Sequence, residues 1–242
     1  MPACDPIRAG IHGDSMKLTR HRSKIRSIAV LCSGGDAPGM NAALRAVVRF
    51  GIASGLTVFG VRKGFAGLLK GNWEVMDRKS VANIILRGGT ILKTDRCPEF
   101  HKKSARRNSV SLMRAQGIDG LVVIGGDGSF RGAHALWAEF RFPVIGIPGT
   151  IDNDIAGTDA TLGFDTAVNN ALEAIAAQHC DSLLILDELA QVEGKVAGEC
   201  AYMLANEQSK ARSTRSGGAR ARLSWRLLFL SAGELGLADH MA

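Results

Sequence analysis

Aromatic residues and prolines are both scarce in this chain of 242 residues. Phe, Trp and Tyr together make up 5% of it, which leaves few rings for stacking on nucleic-acid bases. Only 6 prolines accompany 29 glycines, a balance that indicates tight loops rather than a low-complexity or fibrous chain. Hydrophobic residues at 46% and charged residues at 22% are the proportions of a globular protein with a sizeable core.

The cysteines are odd in number and lack the spacing of a disulfide framework or a zinc site. They are Cys4, Cys32, Cys97, Cys180 and Cys200, with no C-x-x-C pair and no neighbouring pair of histidines. No apolar run approaches the roughly 18 residues of a membrane span, and the amino terminus lacks the apolar stretch of a signal peptide. We therefore expect a cytoplasmic protein with no membrane partner.

The formal net charge of +7 is concentrated near the two ends of the chain. Residues 1–26 carry +4 and residues 209–226 carry +6, which leaves −3 for all the others. We interpret these two segments as solvated and basic, with polyanion binding as the alternative. The rest of the chain has no excess of positive charge, so we expect no nucleic-acid partner.

From Ser27 onward, short apolar runs alternate with segments of helical periodicity. Strands are predicted at Ser27–Cys32, Thr57–Val61, 121–124 and 144–147, with a further candidate at Ser182–Leu186. Apolar stripes predict helices over 40–48, 81–85, 133–140 and 168–175, and a polar helix is predicted over 101–116. Strands that are apolar on both faces and alternate with helices are typical of a parallel sheet. The predicted fold class is α/β, a Rossmann-like parallel sheet with helices on both faces.

Two glycine-rich loops follow predicted strands directly and open predicted helices. They are residues 33–41 (SGGDAPGMN) and 125–129 (GGDGS). Glycine lets the backbone approach a ligand closely, and a helix amino terminus offers free N–H groups, so phosphate is the expected ligand. Asp127 lies between glycines, where a carboxylate can bind Mg²⁺ in front of a phosphate chain. A turn without a ligand is the alternative for each loop.

A third loop, residues 148–154 (PGTIDND), carries two carboxylates one residue apart. Asp152 and Asp154 suit the acid–base part of phosphoryl transfer, in which an Asp accepts the proton of the attacking hydroxyl. A calcium loop is the rival interpretation, but the acidic residues and glycine of an EF-hand are not at the required spacing.

Five motifs together resemble the phosphofructokinase family. Besides the three loops they are residues 96–100 (RCPEF) and 158–167 (TDATLGFDTA), and all five stand in the family's order over about residues 27–175. NAD kinases and lipid kinases have a similar glycine-Asp-glycine loop, but residues 96–100 and 148–154 discriminate against an NAD kinase. The resemblance implies transfer of the terminal phosphate of ATP to the 1-hydroxyl of fructose 6-phosphate in glycolysis, with Mg²⁺ as cofactor.

The resemblance also implies roles for individual residues. Asp152 is expected to be the catalytic base, Asp127 the Mg²⁺ ligand and Asp154 a supporting charge. The residues expected to bind ATP are Gly35, Arg96, Cys97, Gly126, Asp127, Gly128 and Ser129, and those expected to bind the sugar phosphate are Thr150, Ile151, Asp152 and Asp154. Family members that use pyrophosphate carry Asp in place of Gly128 and Lys in place of Gly149, so both glycines favour ATP.

Three arginines match effector positions of the bacterial family members that the chain resembles. Arg45 and Arg49 lie four residues apart on one predicted helix, and Arg78 follows Asp77 in a loop. In those enzymes, arginines at these positions bind an allosteric nucleotide or phosphoenolpyruvate between subunits. Allosteric regulation and a homo-oligomer, a tetramer in the family, are therefore expected. Solvated arginines without a ligand are the alternative.

The resemblance ends inside the predicted helix at 168–175. Family members continue into a second lobe with a Met-Gly-Arg segment and further basic residues for the sugar phosphate, whereas this chain continues as AAQHCD and diverges. We interpret residues 1–26 as a basic extension, 27–175 as the nucleotide-binding catalytic lobe and 176–242 as a divergent, poorly ordered tail. A shifted reading frame or a truncated gene model is expected, with the second lobe incomplete. A catalytically silent nucleotide-binding fragment is therefore the alternative function.

Overall fold

A computed structural model describes residues 25–186, 194–209 and 222–231 of the chain. Its strands are β1 (Ser27–Cys32), β2 (Thr57–Val61), β3 (Trp73–Met76), β4 (Gly120–Gly125), β5 (Val144–Pro148), β6 (Ser182–Leu186) and β7 (Leu227–Ser231). Its α-helices are α1 (Met40–Ala53), α2 (Gly64–Lys70), α3 (Lys103–Ala115), α4 (Asp127–Phe140), α5 (Phe164–Gln178) and α6 (Gly194–Ala205), and a 3₁₀ helix spans Pro98–His101.

Five strands form one sheet in the order β3-β2-β1-β4-β5. β1 is parallel to both β2 and β4, and β4 is parallel to β5, as predicted. The edge strand β3, which was not predicted, is antiparallel to β2, so the sheet is mostly parallel. The reason is the short connection: after α2, the Asn72 carbonyl accepts a hydrogen bond from Arg62 N–H at 3.0 Å, which returns the chain beside the end of β2.

Alternate residues of the central strands enter two separate cores, one on each face of the sheet. Ala29 and Leu31 of β1 face a core with α2, α3 and α4, whereas Val30 and Cys32 face a core with α1 and residues 81–92. This period of two, with both faces apolar, is why β1 and β4 appear as continuous apolar runs in the sequence. The prediction of helices on both faces is confirmed.

The helix predicted over 81–85 is wrong, because the structure has a series of turns there. Val81 and Ile84 are buried as the pattern requires, but Ile85 and Leu86 are 53% and 64% exposed. Asn83 has a φ of 53°, a left-handed conformation that interrupts a right-handed helix. The apolar spacing therefore reports burial on the sheet rather than helical structure.

The predicted strand at Ser182–Leu186 is present, but it lies outside the main sheet. It pairs in parallel with β7, with Ser182 opposite Leu227. A small third core contains Ala176, Leu204 and Trp225, and the Trp225 indole N–H donates to the Leu204 carbonyl at 3.0 Å. The two basic segments, 1–26 and 209–226, lie largely outside the described residues. Within the described ranges no helix has both the length and the apolar content to cross a membrane.

We predict that Gly67→Ala destabilises the fold although it lies in a helix. Alanine should favour α2 by about 1 kcal/mol, yet its methyl group would overlap the carbonyl oxygen of Arg62, which cannot rotate away. Overpacking costs about 1–3 kcal/mol, and a methyl group 1.7 Å from a backbone oxygen lies at the upper end of that range, so the expected net loss in urea unfolding is about 2 kcal/mol. Gly88→Ala is the control, because nothing lies within 4 Å of its methyl group. Equal stability of the two variants would contradict the prediction.

Candidate active site

The three predicted loops lie at one edge of the sheet. They follow β1, β4 and β5, which are adjacent parallel strands, so their carboxyl ends point the same way. The strand order reverses at β1, since β2 lies on one side of it and β4 on the other. The loops after β1 and β4 therefore border the topological switch point, where open α/β sheets bind their ligands.

The loops after β1 and β4 touch through backbone atoms. Ser33 N–H donates to the Ile124 carbonyl at 2.9 Å. A methyl group on Gly125 would lie 2.5 Å from the Ser33 carbonyl oxygen and 2.6 Å from Ser129 Oγ, so only glycine fits there. Ser129 is buried beside this contact, while Gly35 is exposed with nothing within 4 Å of the position of a side chain. The predicted ATP-binding residue Gly35 thus has open space beside it, whereas Gly125 at the end of β4 is tightly packed.

Helix α4 begins at Asp127, directly after β4, with Gly126 as its N-cap and no side-chain cap. Its free N–H groups are therefore at the same edge as the loops. Asp127 is half exposed and pairs with Arg131 one turn later, at 2.8 Å between Oδ2 and Nη2. The Arg131 side chain is 80% exposed, so this ion pair is screened by solvent and weak. Nothing lies within 4 Å of a methyl group on Gly128, which leaves room beside the Asp127 carboxylate.

The third loop packs against the second. Gly149 N–H donates to the Gly125 carbonyl at 3.0 Å, and a methyl group on Gly126 would lie 3.4 Å from Thr150 Cβ. Asp127 follows Gly126 directly and Asp152 lies two residues after Thr150, so the structure brings the two carboxylate-bearing loops together. A methyl group on Gly149 would lie 2.7 Å from Ile124 Cγ2, so a lysine at this position has no room in this backbone.

Asp152 is exposed, and a threonine two residues earlier holds its main chain. Asp152 N–H donates to Thr150 Oγ1 at 3.2 Å, and the Thr150 hydroxyl lies 3.4 Å from Asp152 Oδ2. Ile151 and Asp154 are exposed on the same loop. The Ile151 side chain lies beside Gly163, whose added methyl group would be 3.1 Å from Ile151 Cγ2. A carboxylate held this way at the surface can accept a proton from a bound hydroxyl group.

Arg96 and Cys97 precede the 3₁₀ helix that packs beside α4. Phe100 of that helix stacks on Phe65 with ring centroids 4.2 Å apart, and a methyl group on Gly132 of α4 would lie 3.1 Å from the Phe65 ring. Arg96 is exposed, and partial burial raises the pKa of the Cys97 thiol. Cys97 is therefore a neutral thiol at physiological pH, beside the helix whose amino terminus forms the second loop.

A partly buried ion pair fixes this segment to α4. Arg106 donates to Glu139 of α4 through Nε at 2.9 Å and Nη2 at 2.5 Å, and to the carbonyls of Phe100 and His101 at 2.8 and 2.7 Å. Only 12% of the Arg106 side chain is exposed. The hydrogen bonds from Arg106 lower the pKa of Glu139, as a bidentate guanidinium–carboxylate pair requires.

Of the three predicted effector arginines, Arg78 lies away from these loops. Arg45 donates to the Val81 carbonyl, and Arg49 is exposed on the same helix. Arg78 lines a cavity of about 450 Å³ near the start of β2, which is the amino end of the parallel strands. The cavity is lined by Ile52, Leu56, Thr57, Val58, Val75, Met76, Asp77, Arg78 and Lys79. It is therefore separate from the three loops at the carboxyl edge.

Three polar residues at the site were missed by sequence reasoning. Arg131, which pairs with Asp127, could have been found from its i, i+4 spacing. Thr161 and Asn153 hydrogen-bond to each other across the third loop, and no periodic signal marks such a pair. Within the described residues no group of three His, Cys, Asp or Glu side chains forms a metal cluster.

Fold and site together define an α/β protein with glycine-rich loops gathered at the switch point of a mostly parallel sheet, an arrangement suited to phosphate-bearing ligands. This chain belongs to the phosphofructokinase family: the family model described as "Phosphofructokinase" matches residues 27–208. A relative from Halothermothrix orenii, named ATP-dependent 6-phosphofructokinase, is 59% identical over 151 residues, which are 62% of this chain and 46% of the relative. The chain thus spans about half the length of the curated relatives it matches.

Solved structures agree with the fold. Phosphofructokinase from Pichia pastoris in the T-state has a TM-score of 0.61 and 36% identity over 68% of this chain and 20% of that one. Phosphofructokinase from Saccharomyces cerevisiae has a TM-score of 0.57 and 38% identity over 67% of this chain and 26% of that one. The recognition of the family and the α/β fold class, both made from the sequence, are confirmed.

The thiol of Cys32, directly before the first loop, makes the stability of the fold depend on pH. Cys32 ends β1, is fully buried and accepts a hydrogen bond from the Thr90 hydroxyl at 3.1 Å. Burial raises the pKa of its thiol from 9.0 to about 11; the Thr90 hydrogen bond opposes this shift and the charge of Asp36 adds to it. The folded state holds this proton more tightly than the unfolded state. The stability that this proton contributes is therefore complete below pH 9 and lost as the pH rises toward 11.

We predict that the stability advantage of the wild type over Cys32→Ala shrinks between about pH 8 and about pH 11. The expected change is on the order of 2–3 kcal/mol, from the difference between the two thiol pKa values. Urea unfolding across this range measures it, and Cys180→Ala is the control because Cys180 is exposed. A constant difference between wild type and Cys32→Ala would show that the buried thiol is not protonated more tightly in the folded state.

Proposed function

We propose that this chain carries the catalytic loops of an ATP-dependent 6-phosphofructokinase, which transfers the terminal phosphate of ATP to the 1-hydroxyl of fructose 6-phosphate in glycolysis. The observation that carries the proposal is the contact between the second and third loops, where Gly126 meets Thr150. This contact joins a loop suited to a phosphate chain to a loop with an exposed carboxylate. Phosphoryl transfer needs both at one place, because positioning and charge neutralisation supply most of its catalysis.

The residues divide into three proposed roles. The amino terminus of α4, with the N–H groups of Gly126 and Gly128 and the Ser129 hydroxyl, binds the phosphates of ATP, and Gly35 borders them from the first loop. Arg96 and Cys97, beside α4, line the nucleotide. Thr150, Ile151, Asp152 and Asp154 bind the sugar phosphate.

Asp152 is the proposed general base. It accepts the proton of the 1-hydroxyl as the sugar oxygen bonds to the terminal phosphorus and the bond from that phosphorus to the leaving oxygen of ADP breaks. Asp154 adds negative charge beside it, and the hydrogen bond from Asp152 N–H to Thr150 Oγ1 keeps the loop in place. Transfer of phosphate from ATP to fructose 6-phosphate, both of them anions, depends on the positions of these side chains.

Asp127 fits a magnesium ligand. Its carboxylate is half exposed at the start of α4, next to the space above Gly128, and its only described partner is the solvent-exposed Arg131. Magnesium prefers one or two carboxylates completed by phosphate oxygens and waters, so a single Asp suffices here. When bound, the ion would neutralise charge on the phosphate oxygens.

Regulation and assembly extend the proposal. Arg45, Arg49 and Arg78 would bind an anionic effector, a nucleotide or phosphoenolpyruvate, at an interface between subunits of a cytoplasmic homo-oligomer. Arg78 and Lys79 place two cations at the cavity at that end of the sheet, beside Asp77. Because Arg45 already donates to the Val81 carbonyl, an effector there would have to share this guanidinium.

A nucleotide-binding protein without turnover is the second candidate. The residues that match the relative from Halothermothrix orenii cover 46% of that protein, so the match contains only part of its contacts. Each hydrogen bond to a charged group contributes about 1.5–3 kcal/mol, so sugar-phosphate binding depends strongly on how many such contacts the protein makes. The two candidates share the nucleotide site and differ only in turnover.

We predict that Asp152→Ala lowers turnover by about 10²- to 10⁴-fold, the usual contribution of a general base, while ATP affinity stays within about twofold. A coupled assay with Mg²⁺, ATP and fructose 6-phosphate measures turnover, and calorimetry measures ATP affinity. Asp165→Asn is the control, since Asp165 is an exposed carboxylate in the first turn of α5. Wild-type ATP binding without turnover would support the second candidate, and unchanged turnover in Asp152→Ala would refute the assignment of the base.

A further inference from the structure

Residues 158–167 form the one family motif to which the proposed chemistry assigns no role. The first part of this motif runs alongside the third loop and is hydrogen-bonded to it. Leu162 N–H donates to the Pro148 carbonyl at 2.9 Å, and Gly163 N–H donates to the Thr150 carbonyl at 3.0 Å. The motif is therefore a brace along the backbone that presents Asp152.

Thr161 is the residue through which the brace reaches Asp152 itself. Its hydroxyl donates to the Asp152 carbonyl at 2.9 Å, and its N–H donates to Asn153 Oδ1 at 3.1 Å. Thr161 is 4% exposed, whereas Asp152 and Asn153 are exposed. The buried Thr161 hydroxyl thus holds the main chain of Asp152, whose side chain is exposed.

We propose that Thr161 is a positioning residue for Asp152, and that its hydroxyl rather than its methyl group performs this role. The inference rests on the proposed function, because positioning of Asp152 affects turnover only if Asp152 takes part in the reaction. The Thr150 hydroxyl contributes a second restraint, which is weaker because its contacts with Asp152 are longer, at 3.2 and 3.4 Å. Without the Thr161 hydroxyl, the Asp152 carbonyl would lose its buried donor, while the other hydrogen bonds of the loop would remain.

The chemistry explains why a small error of position matters. A general base must lie within hydrogen-bond reach of the hydroxyl it deprotonates, and a displacement of about 1 Å can cost about 100-fold in rate. Nucleotide binding, in contrast, depends on the amino terminus of α4, which Thr161 does not contact through any of its hydrogen bonds. The loss of the hydroxyl should therefore separate turnover from ATP affinity.

The test compares Thr161→Val, which removes the hydroxyl and keeps the shape, with Thr161→Ser, which keeps the hydroxyl. Amide hydrogen exchange is followed at four N–H groups that all donate to residues of the third loop, those of Asp152, Thr161, Leu162 and Gly163. Ser109→Ala is the matched control, because it removes another buried hydroxyl, which donates to the Ala105 carbonyl within α3. Turnover and ATP affinity are measured for the same proteins.

We expect exchange at these four amides to be about tenfold faster in Thr161→Val, as for the loss of one hydrogen bond, with the strand amides of β1 and β4 unchanged. Turnover should fall by about 10- to 100-fold with ATP affinity within about twofold. Thr161→Ser should restore both exchange and turnover, and Ser109→Ala should leave exchange in the brace unchanged.

Three results would overturn the inference: unchanged exchange at the four amides in Thr161→Val, failure of Thr161→Ser to restore it, or a matched loss of turnover and ATP affinity that tracks general unfolding. If the wild type binds ATP but does not turn over, the proposed enzyme function fails for this chain. Hydrogen exchange then still decides whether the Thr161 hydroxyl fixes the Asp152 backbone.

Discussion

The close approach of β1 and β4 at their carboxyl ends is the contact on which the rest of the site depends. The Ser33 carbonyl and the Ser129 side chain occupy the space that a side chain on Gly125 would need. Because of this contact the first loop lies against the start of α4, where a methyl group on Gly34 would lie 3.6 Å from Ser129 Oγ. At position 125, glycine is required for space, not for a left-handed backbone.

Two further contacts fix the positions of the neighbouring segments. Gly149 bonds to Gly125 and brings the third loop beside the second, while Arg106 and Glu139 tie the segment after Cys97 to α4. Each of these links runs to β4 or α4, so one strand and one helix position all the proposed nucleotide and sugar contacts. The carboxylates expected to act on substrate, Asp127 and Asp152, are exposed, whereas the Thr161 hydroxyl that holds the Asp152 main chain is buried.

The sequence predicted the central strands, the two glycine loops and the family because these features are local: a buried strand is a continuous apolar run, and a loop motif is contiguous. Helix α2 and strand β3 were not predicted, because no such local signal marks them. Two glycines make α2 appear to be a turn, yet Gly67 is needed where the helix meets the Arg62 carbonyl. Likewise, the Thr161 hydroxyl acts on a carbonyl nine residues away, and no pattern of spacing reports such a bond. Whether Asp127, Asp152 and the other site residues bind their proposed ligands stays a prediction.

The central claim is that the second and third loops form one site for a metal-bound triphosphate. Paramagnetic broadening by Mn²⁺, added with ATP in place of Mg²⁺, tests it most directly through the backbone amide resonances. The account predicts that Asp127, Gly128, Thr150 and Asp152 broaden together at low Mn²⁺, and that amides beside Arg78 at the opposite edge of the sheet do not. Broadening of the second loop without the third, or of neither, would contradict it.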